Sequence, residues 1–237
     1  MGSLSNLFSL QSILSLFALL FAITVHEASH AWSAMRFGDP TAAAMGRVSL
    51  NPLAHIDPIG TVLLPLLLRL AGAPAFGWAK PVMVNPRNLR HPRRDNLWIS
   101  FAGPAANLAT ATASLLLLFV IKSLRPQTIH FLVAFWSLER GQAFPAGFYP
   151  LEGLALVLFF FILVNIYLAV FNLIPVPPLD GGGVLAGLLS YKAAAAYDKI
   201  RPYGFIIVLA LIWLGLLDVI VRPIMNLIGA VIGVRFL

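Results

Sequence analysis

The residues best suited to catalysis stand together near the start of the chain, in the order His26-Glu27-Ala28-Ser29-His30. On a helix, His26 and His30 lie one turn apart on the same face, where two imidazoles can hold one zinc ion. Glu27 can take a proton from a water that zinc activates, because zinc lowers the pKa of such a water to about 7. The pattern predicts a metal-dependent hydrolase. The alternative is a pair of core histidines without a metal.

The composition indicates an integral membrane protein. Of the 237 residues, 59% are hydrophobic and 11% are charged, and the mean hydropathy is +0.88. Soluble domains carry about 25% charged residues. A carboxylate and two imidazoles are costly in apolar surroundings and are usually functional there. The sequence contains no cysteine, so a zinc site must use His, Asp or Glu.

The net charge of +7 does not indicate nucleic-acid binding. Five basic residues fall between Lys80 and Arg94, and most of the others flank apolar runs, which is what the positive-inside rule produces. We therefore expect a lipid bilayer and no nucleic acid as partner. Residues 1–25 contain no Lys or Arg, so they lack the basic start of a secretory signal and predict a retained span.

Apolar runs predict an all-α polytopic fold with about four to six transmembrane or re-entrant helices and a short membrane-associated β-ribbon. The expected spans are residues 5–37, 97–121, 154–171 and 203–220. Two further runs have an open placement: residues 59–70 are too short for a full span, and residues 222–237 form an interfacial stretch or a last partial span. The β-ribbon is expected at 75–86, where valines alternate. Residues 125–150 are expected to form an irregular connecting loop and residues 191–201 a polar connector.

Residues 172–183 read Asn-Leu-Ile-Pro-Val-Pro-Pro-Leu-Asp-Gly-Gly-Gly. Three prolines and three glycines predict irregular backbone, which a bilayer tolerates only where protein or a cavity covers it. Asp180 is therefore expected in a broken segment lined by protein. We expect the glycines at 181–183 to permit a tight turn and residues 184–190 to form a short helix.

Charge asymmetry predicts the orientation of the spans. If the first span runs from outside to inside, eleven of the 16 Lys and Arg residues lie inside and five lie outside. This orientation brings His26, His30 and Asp180 to the inner side and makes Asp180 the best third ligand. It leaves two other carboxylates, Glu139 and Glu152, on the outer side. His55 and Asp57 lie on the inner side, but we interpret them as loop residues.

Three asparagines, Asn107, Asn165 and Asn172, lie within or at the end of the expected spans. Each can form a hydrogen bond between helices, worth about 0.6–2 kcal/mol. Gly103, Asn107 and Ala111 also recur every four residues, which predicts close helix packing along this ridge.

Three motifs together resemble the signatures of the site-2 proteases, the intramembrane zinc metalloproteases: His26-Glu-Ala-Ser-His30, Ala102-Gly-Pro-Ala-Ala-Asn107 and Asn172-Leu-Ile-Pro-Val-Pro-Pro-Leu-Asp180-Gly. Residues 76–90, FGWAKPVMVNPRNLR, resemble the small branch of that family, which lacks PDZ or CBS domains. The resemblance covers residues 12–200.

The resemblance implies that His26, His30 and Asp180 bind one zinc ion and that Glu27 is the general base. It also implies that a substrate helix unwinds locally, because its amide carbonyls are otherwise shielded, and that the β-ribbon pairs with the unfolding substrate. Asn172 would help to hold the freed substrate backbone, and Asn107 and Asn165 are further candidates for this contact. Residues 1–237 would then be a single intramembrane metalloprotease domain with its core at about 12–200. It would be a multi-pass protein of the cell membrane with its active site toward the cytoplasm. Its reaction would be hydrolysis of peptide bonds within or near transmembrane segments of membrane-protein substrates, as in regulated intramembrane proteolysis.

Two other functions compete with this one. The first is a catalytically silent relative that binds membrane helices as a scaffold or chaperone. The intact Glu27 speaks against it, because a binder needs no base beside the metal. The second is a metal transporter, which would need polar residues along the whole path, whereas here they cluster on one side. The sequence leaves the substrate and the oligomeric state open.

Overall fold

The computed structural model of the chain describes residues 10–64, 67–68, 79–137 and 149–233, which fold into α-helices joined by short turns. In chain order the helices are α1 (Leu10–Arg36), α2 (Thr41–Ala44), α3 (Pro92–Leu124), α4 (Gln127–Ser137), α5 (Pro150–Leu173), α6 (Asp180–Leu188), α7 (Tyr191–Asp198), α8 (Gly204–Trp213) and α9 (Leu216–Ile232).

Three of these helices, α1, α3 and α5, are long and apolar enough to cross a membrane. A fourth candidate is the bent pair made by residues 191–213 and helix α9, whose two parts meet at 54°. These helices indicate a multi-pass membrane protein, as the composition predicted. The first residues of the expected first span, 5–9, lie outside the described residues.

Helix α3 begins five residues earlier than predicted because its first turn is polar. The carboxylate Oδ2 of Asp95 accepts a hydrogen bond from the backbone N–H of His91 at 2.7 Å, and Pro92 occupies the first turn. Both features stabilise a helix start. At 33 residues, α3 is about 50 Å long, which exceeds the bilayer core of about 30 Å. An apolar run locates the part of a helix inside lipid and misses its polar ends.

Both expected connectors contain helices. In residues 125–150, α4 spans Gln127–Ser137, and residues 138–148, which include Glu139, lie outside the described residues. In residues 191–201, α7 spans Tyr191–Asp198, and the Ser190 hydroxyl caps it by accepting from the N–H of Ala193 at 3.3 Å. Four consecutive alanines give α7 a strong helix propensity, which outweighs its polar ends.

The expected span 203–220 belongs to the bent pair that is the fourth candidate span, and it is divided between two helices. The chain bends at Gly215, which has a left-handed φ of 73°, and continues as α9 to Ile232. Glycine adopts this conformation without steric cost, which allows the break after α8. Residues 222–232 therefore belong to the same helix as residues 216–221.

Two expectations fall partly outside the described residues. In the short apolar run 59–70, Pro58–Leu63 forms a π-helical turn, while residues 65, 66, 69 and 70 are not described. Of the expected β-ribbon, residues 79–85 have no regular secondary structure and residues 75–78 are not described. The described part of the chain contains no strand, and the β-ribbon stays a prediction.

The main apolar core lies where α3, α5 and α9 meet. Leu118 of α3, Phe160 of α5 and Val221 of α9 are buried there, and Ala18 of α1 closes one side. Helix α5 packs against α1, α3, α4, α6 and α9, so it is the central element of the bundle. Helices α1 and α6 both pack against the first half of α3, and this arrangement brings two distant parts of the sequence together.

Candidate metal centre

Two histidines of α1 and one aspartate of α6 converge on a single point. The Nε2 atoms of His26 and His30 lie 3.0 Å apart. The Asp180 Oδ2 atom lies 3.0 Å from the Nε2 of His26 and 3.3 Å from the Nε2 of His30. Among the described residues, these three side chains form the one group of at least three possible metal ligands that lie close enough together to hold an ion. The spacing predicted the two histidines, and topology predicted the aspartate.

The hydrogen bonds on the far side of each imidazole fix which nitrogen is free. The Nδ1 of His26 faces Oδ1 of Asn107 at 2.6 Å, and the Nδ1 of His30 faces the carbonyl oxygen of Ile99 at 2.7 Å. Because both partners are acceptors, each Nδ1 carries the hydrogen and each Nε2 presents a lone pair. Two lone pairs and a carboxylate oxygen therefore point at one another.

This arrangement fits a zinc ion. The Oδ2 of Asp180 is buried and accepts no hydrogen bond within the described residues, so it needs a positive partner. Zinc binds nitrogen and oxygen at about 2.0–2.2 Å, which separates tetrahedral ligands by about 3.3 Å, close to the observed distances. Two neutral imidazoles and one carboxylate leave the site a net charge of +1 with zinc, as a hydrolytic site requires.

Gly103 of α3 provides the space for these ligands. A Cβ atom at this position would stand 2.7 Å from both Cε1 and Nε2 of His26, and it would also collide with Nε2 of His30. Any side chain would therefore displace the imidazoles. The sequence predicted Gly103 only as part of a small-residue packing ridge. Its contact with both histidines depends on how close α3 approaches α1.

Asn107 and Asn165 form a chain of hydrogen bonds that ends on His26. Both side chains are 0% exposed. The Nδ2 of Asn107 donates to the carbonyl of Ala22 at 3.1 Å and to Oδ1 of Asn165 at 2.7 Å, and Nδ2 of Asn165 donates to the carbonyl of Phe161 at 2.9 Å. The chain of bonds links α5 and α3 to α1 and supports the helix-to-helix role of these two amides, while their contact with substrate stays a prediction.

Residues 174–179, between α5 and α6, have the irregular backbone that the sequence predicted, but Asp180 is already the first residue of α6, so the expected tight turn at the glycines is wrong. The glycines lie inside α6: a Cβ at Gly181 would collide with the carbonyl of Leu173, whereas two later glycines allow α6 to approach α3 closely. A Cβ at Gly183 would stand 2.9 Å from Cβ of Ser100, and a Cβ at Gly187 would stand 2.6 Å from Cβ of Leu97. The four-residue spacing of these two glycines was the available signal.

The side chains of Glu27 and Asn172, the proposed base and a proposed substrate contact, differ in their hydrogen bonds. Glu27 follows His26 on α1 and is half-buried, and its carboxylate makes no hydrogen bond within the described part of the chain. Its carboxylate is therefore available to accept a proton. Asn172 is half-buried near the end of α5, and its Nδ2 donates to the carbonyl of Leu168 at 2.9 Å. Its contact with substrate stays a prediction.

The remaining candidates are not part of this site. His55 is fully buried, with its Nε2 2.8 Å from the carbonyl of Ser49, and Asp57 accepts from the N–H groups of Ile59 and Gly60. Glu152 lies at the other end of α5 and accepts from the N–H of Tyr149 at 3.0 Å. These residues stabilise local structure, as the sequence predicted for His55 and Asp57.

The buried carboxylate of Asp39 connects the end of α1 to the segment before α3, a role that the sequence did not predict. It is 0% exposed and accepts hydrogen bonds from Thr41, from the N–H of Asn85 at 2.6 Å and from Nδ2 of Asn88 at 2.8 Å. Burial raises the pKa of Asp39, but these hydrogen bonds outweigh burial and hold the pKa below its usual value. The residue ties the segment before α3 to the end of α1. In the sequence, Asp39 is recognisable only as part of the Gly-Asp-Pro stretch at which the first helix ends.

Comparison with known proteins agrees with this geometry. Residues 14–215 match the family described as Peptidase family M50. The chain is 34% identical over 208 residues to "Putative zinc metalloprotease YwhC" of Bacillus subtilis (strain 168), covering 88% of this chain and 84% of that protein. It is 31% identical over 193 residues to "Putative zinc metalloprotease Rip2" of Mycolicibacterium smegmatis (strain ATCC 700084 / mc(2)155), covering 81% of this chain and 64% of that protein.

No solved structure matches the chain significantly. The family match covers most of the chain and contains His26, Glu27, His30 and Asp180. The convergence of two imidazoles and a carboxylate is what a metallopeptidase of this kind needs. The chain therefore belongs to peptidase family M50, the site-2 protease family, and is a zinc metallopeptidase.

Proposed function

We propose that the enzyme hydrolyses peptide bonds within or near the transmembrane segments of other membrane proteins, in regulated intramembrane proteolysis. The observation that carries the proposal is the depth of the site. His26 and His30 are 5% and 7% exposed inside a helix that is long and apolar enough to cross a bilayer. His26 lies about 24 Å along α1 from Leu10. A scissile bond must therefore reach the site at or below the lipid headgroups.

The proposed division of roles follows from the contacts. His26, His30 and Asp180 hold the zinc ion, and Asn107 and the Ile99 carbonyl keep the imidazoles in the tautomer that binds metal. Bound zinc supplies a Lewis acid that polarises the scissile carbonyl and makes water more acidic. Glu27 takes the proton from the attacking water and returns it to the leaving amine. No other carboxylate in the described residues lies within this cluster.

The segment before α3 is suited to hold an unwound substrate. Its ends are fixed, because the N–H of Lys80 donates to the carbonyl of His55 at 2.9 Å and the N–H of Asn85 donates to Asp39. Between them, the backbone of Val82, Met83 and Val84 makes no hydrogen bond within the described residues. Unpaired backbone of this kind can pair with an extended peptide, the role expected of the β-ribbon. Asn172 would add an amide at the end of α5.

The proposed orientation in the membrane rests on the charge distribution of the sequence. With the predicted topology, eleven of the 16 basic residues fall on the side of the metal site, which favours the cytoplasmic side of the cell membrane. We assign the whole chain, residues 1–237, to one intramembrane protease domain, because α1, α3, α5 and α6 all contribute to a single site.

The replacement Glu27→Gln tests this function. We expect the zinc-loaded variant to keep its zinc and to lose cleavage of a membrane-protein test substrate in detergent, because Gln cannot accept the proton. Glu152→Gln is the matched control. It makes the same replacement at a glutamate outside the metal site, in the first turn of α5, and should leave zinc content and cleavage intact. If zinc-loaded wild-type protein cuts no tested transmembrane segment, the catalytically silent scaffold is the better function.

A further inference from the structure

A separate cleft of about 520 Å³ opens at the N-terminal end of α3. Among its lining residues, His91, Arg93 and Arg94 are exposed and are here called its mouth, while Leu97 of α3 and Gly187 of α6 are partly buried and are called its apolar floor. None of these residues is a metal ligand or the proposed general base. The cleft lies on the seam between α3 and α6, and α6 begins with Asp180.

The positive charge at the mouth has no partner within the described residues. Arg93 and Arg94 are exposed and take part in no ion pair or side-chain hydrogen bond there. The nearest carboxylate in sequence, Asp95, is 3% exposed, and its Oδ2 accepts from the backbone of His91. Asp95 therefore stabilises the start of α3 and does not pair with the two guanidinium groups, which remain able to bind an anion.

The position of the cleft indicates where that anion comes from. Helix α3 is about 20 Å longer than the bilayer core, and its apolar part begins at Leu97 after the charged residues 93–95. Trp98, next to the floor, is 46% exposed, as expected for an aromatic side chain at the headgroup level. The arginines therefore lie at the depth of lipid phosphates, and the floor lies at the depth where acyl chains begin.

We propose that this cleft binds the headgroup phosphate of an anionic phospholipid. The two arginines contact the phosphate, and the first carbons of the lipid pack on Leu97 and Gly187. Basic clefts between helices at the membrane surface bind anionic headgroups by this combination of charge and apolar contact. A bound lipid would bridge α3 and α6, the two helices whose close approach positions Asp180. The proposal does not depend on the peptidase reaction.

The test compares lipid retention. Full-length protein is equilibrated in mixed micelles with equal amounts of phosphatidylglycerol and phosphatidylcholine, repurified, and extracted for lipid analysis by mass spectrometry. We expect the wild-type protein to retain phosphatidylglycerol over phosphatidylcholine. Arg93→Gln/Arg94→Gln should reduce this preference, by about fivefold for each arginine removed. Arg93→Lys/Arg94→Lys keeps the charge and should retain most of the preference, which separates lipid binding from a folding defect.

Lys192→Gln/Lys199→Gln is the matched control, because it removes the same charge from exposed positions outside the cleft. It should behave like the wild type. Equal loss of the preference in both double Gln variants would overturn the proposal, because basic residues would then act only through net charge. The absence of a preference in the wild type would also overturn it. Glycerol 3-phosphate in solution should not displace the lipid at matched phosphate concentration. Full displacement would also overturn the proposal, because the cleft would then bind soluble phosphate.

Discussion

Asp180 and Glu152 are both carboxylates of the helix bundle, yet their surroundings differ in one decisive respect. Glu152 is 7% exposed, and its Oε2 accepts from the N–H of Tyr149, whose ring in turn lies 3.9 Å below the guanidinium of Arg125. The Oδ2 of Asp180 is buried beside two imidazole lone pairs and accepts no hydrogen bond within the described residues. A buried charge without a donor is costly, so it persists where a metal ion compensates it.

The comparison extends to the supporting residues. Around Glu152, neighbouring groups satisfy the carboxylate itself, and the result is a stable helix start. Around Asp180, the hydrogen bonds go to the histidines, through Asn107 and the Ile99 carbonyl, while the carboxylate is left free. The hydrogen bonds around Glu152 therefore stabilise a helix start, whereas those beside Asp180 orient the histidines and leave the carboxylate available for a ligand.

The largest effect is expected from Gly103→Ala. The added methyl group would stand 2.7 Å from the His26 ring, so we expect zinc binding and cleavage to be abolished. Zinc content by elemental analysis and cleavage of a test substrate measure this. Gly215→Ala is the control: its methyl group meets open space, but its φ of 73° makes the change cost about 1–2 kcal/mol of stability. The Gly215→Ala variant should unfold at a lower temperature than the wild type and keep its zinc. Normal zinc content in Gly103→Ala would show that the ligands lie elsewhere.

Asn107→Ala should have a smaller effect on the same end of the bundle. Without the amide oxygen, the Nδ1–H of His26 loses its acceptor, and zinc affinity should fall about 10–100-fold. Competition with a chelator measures the affinity. Asn172→Ala should leave zinc affinity unchanged and raise KM for the substrate. The reverse pattern, with Asn107 affecting only KM, would support the substrate role predicted for it.

The smallest effect is expected from Asp39→Asn, because Asp39 is a buried carboxylate that is already satisfied. Its pKa in the folded protein is below its ordinary value of 3.8, so its ionised form stabilises the fold above pH 3.8. This stabilisation is lost as the pH falls through the lower folded-state pKa. We expect the variant to be less stable by about 1 kcal/mol at neutral pH and the difference to shrink below about pH 4.

Thermal unfolding between pH 7 and pH 3 measures the effect of Asp39→Asn. Asp198→Asn is its control, because Asp198 is exposed and pairs only with Arg201 three residues on. If the difference in stability between the wild type and Asp39→Asn is the same at all pH values, the charge of Asp39 does not contribute to the stability of the fold.

Part of the site could be predicted because its information is local. His26, Glu27 and His30 follow from helical periodicity alone, and Asp180 follows from counting spans and basic residues. The short helices were missed for a different reason. Helices α4 and α7 are too short for a span, and in a membrane protein apolar runs dominate the pattern.

The roles of Gly103, Asn107 and Gly187 could not be read from the sequence, because they depend on distances between helices. Small residues at intervals of four predict that helices approach closely, but they do not identify the partner. Asn107 was expected to contact substrate because an amide in a span is polar. The structure shows that both of its polar atoms are already used, which only the packing of α1, α3 and α5 decides.

The most direct test of the account is the zinc content of two matched variants, Asp180→Ala and Glu152→Ala, purified side by side with the wild type. We predict one zinc per chain in the wild type and in Glu152→Ala, and a strongly reduced zinc content in Asp180→Ala, with both variants folded by circular dichroism. Equal zinc content in the two variants would contradict the assignment of Asp180 as the third ligand and, with it, the proposed metal centre.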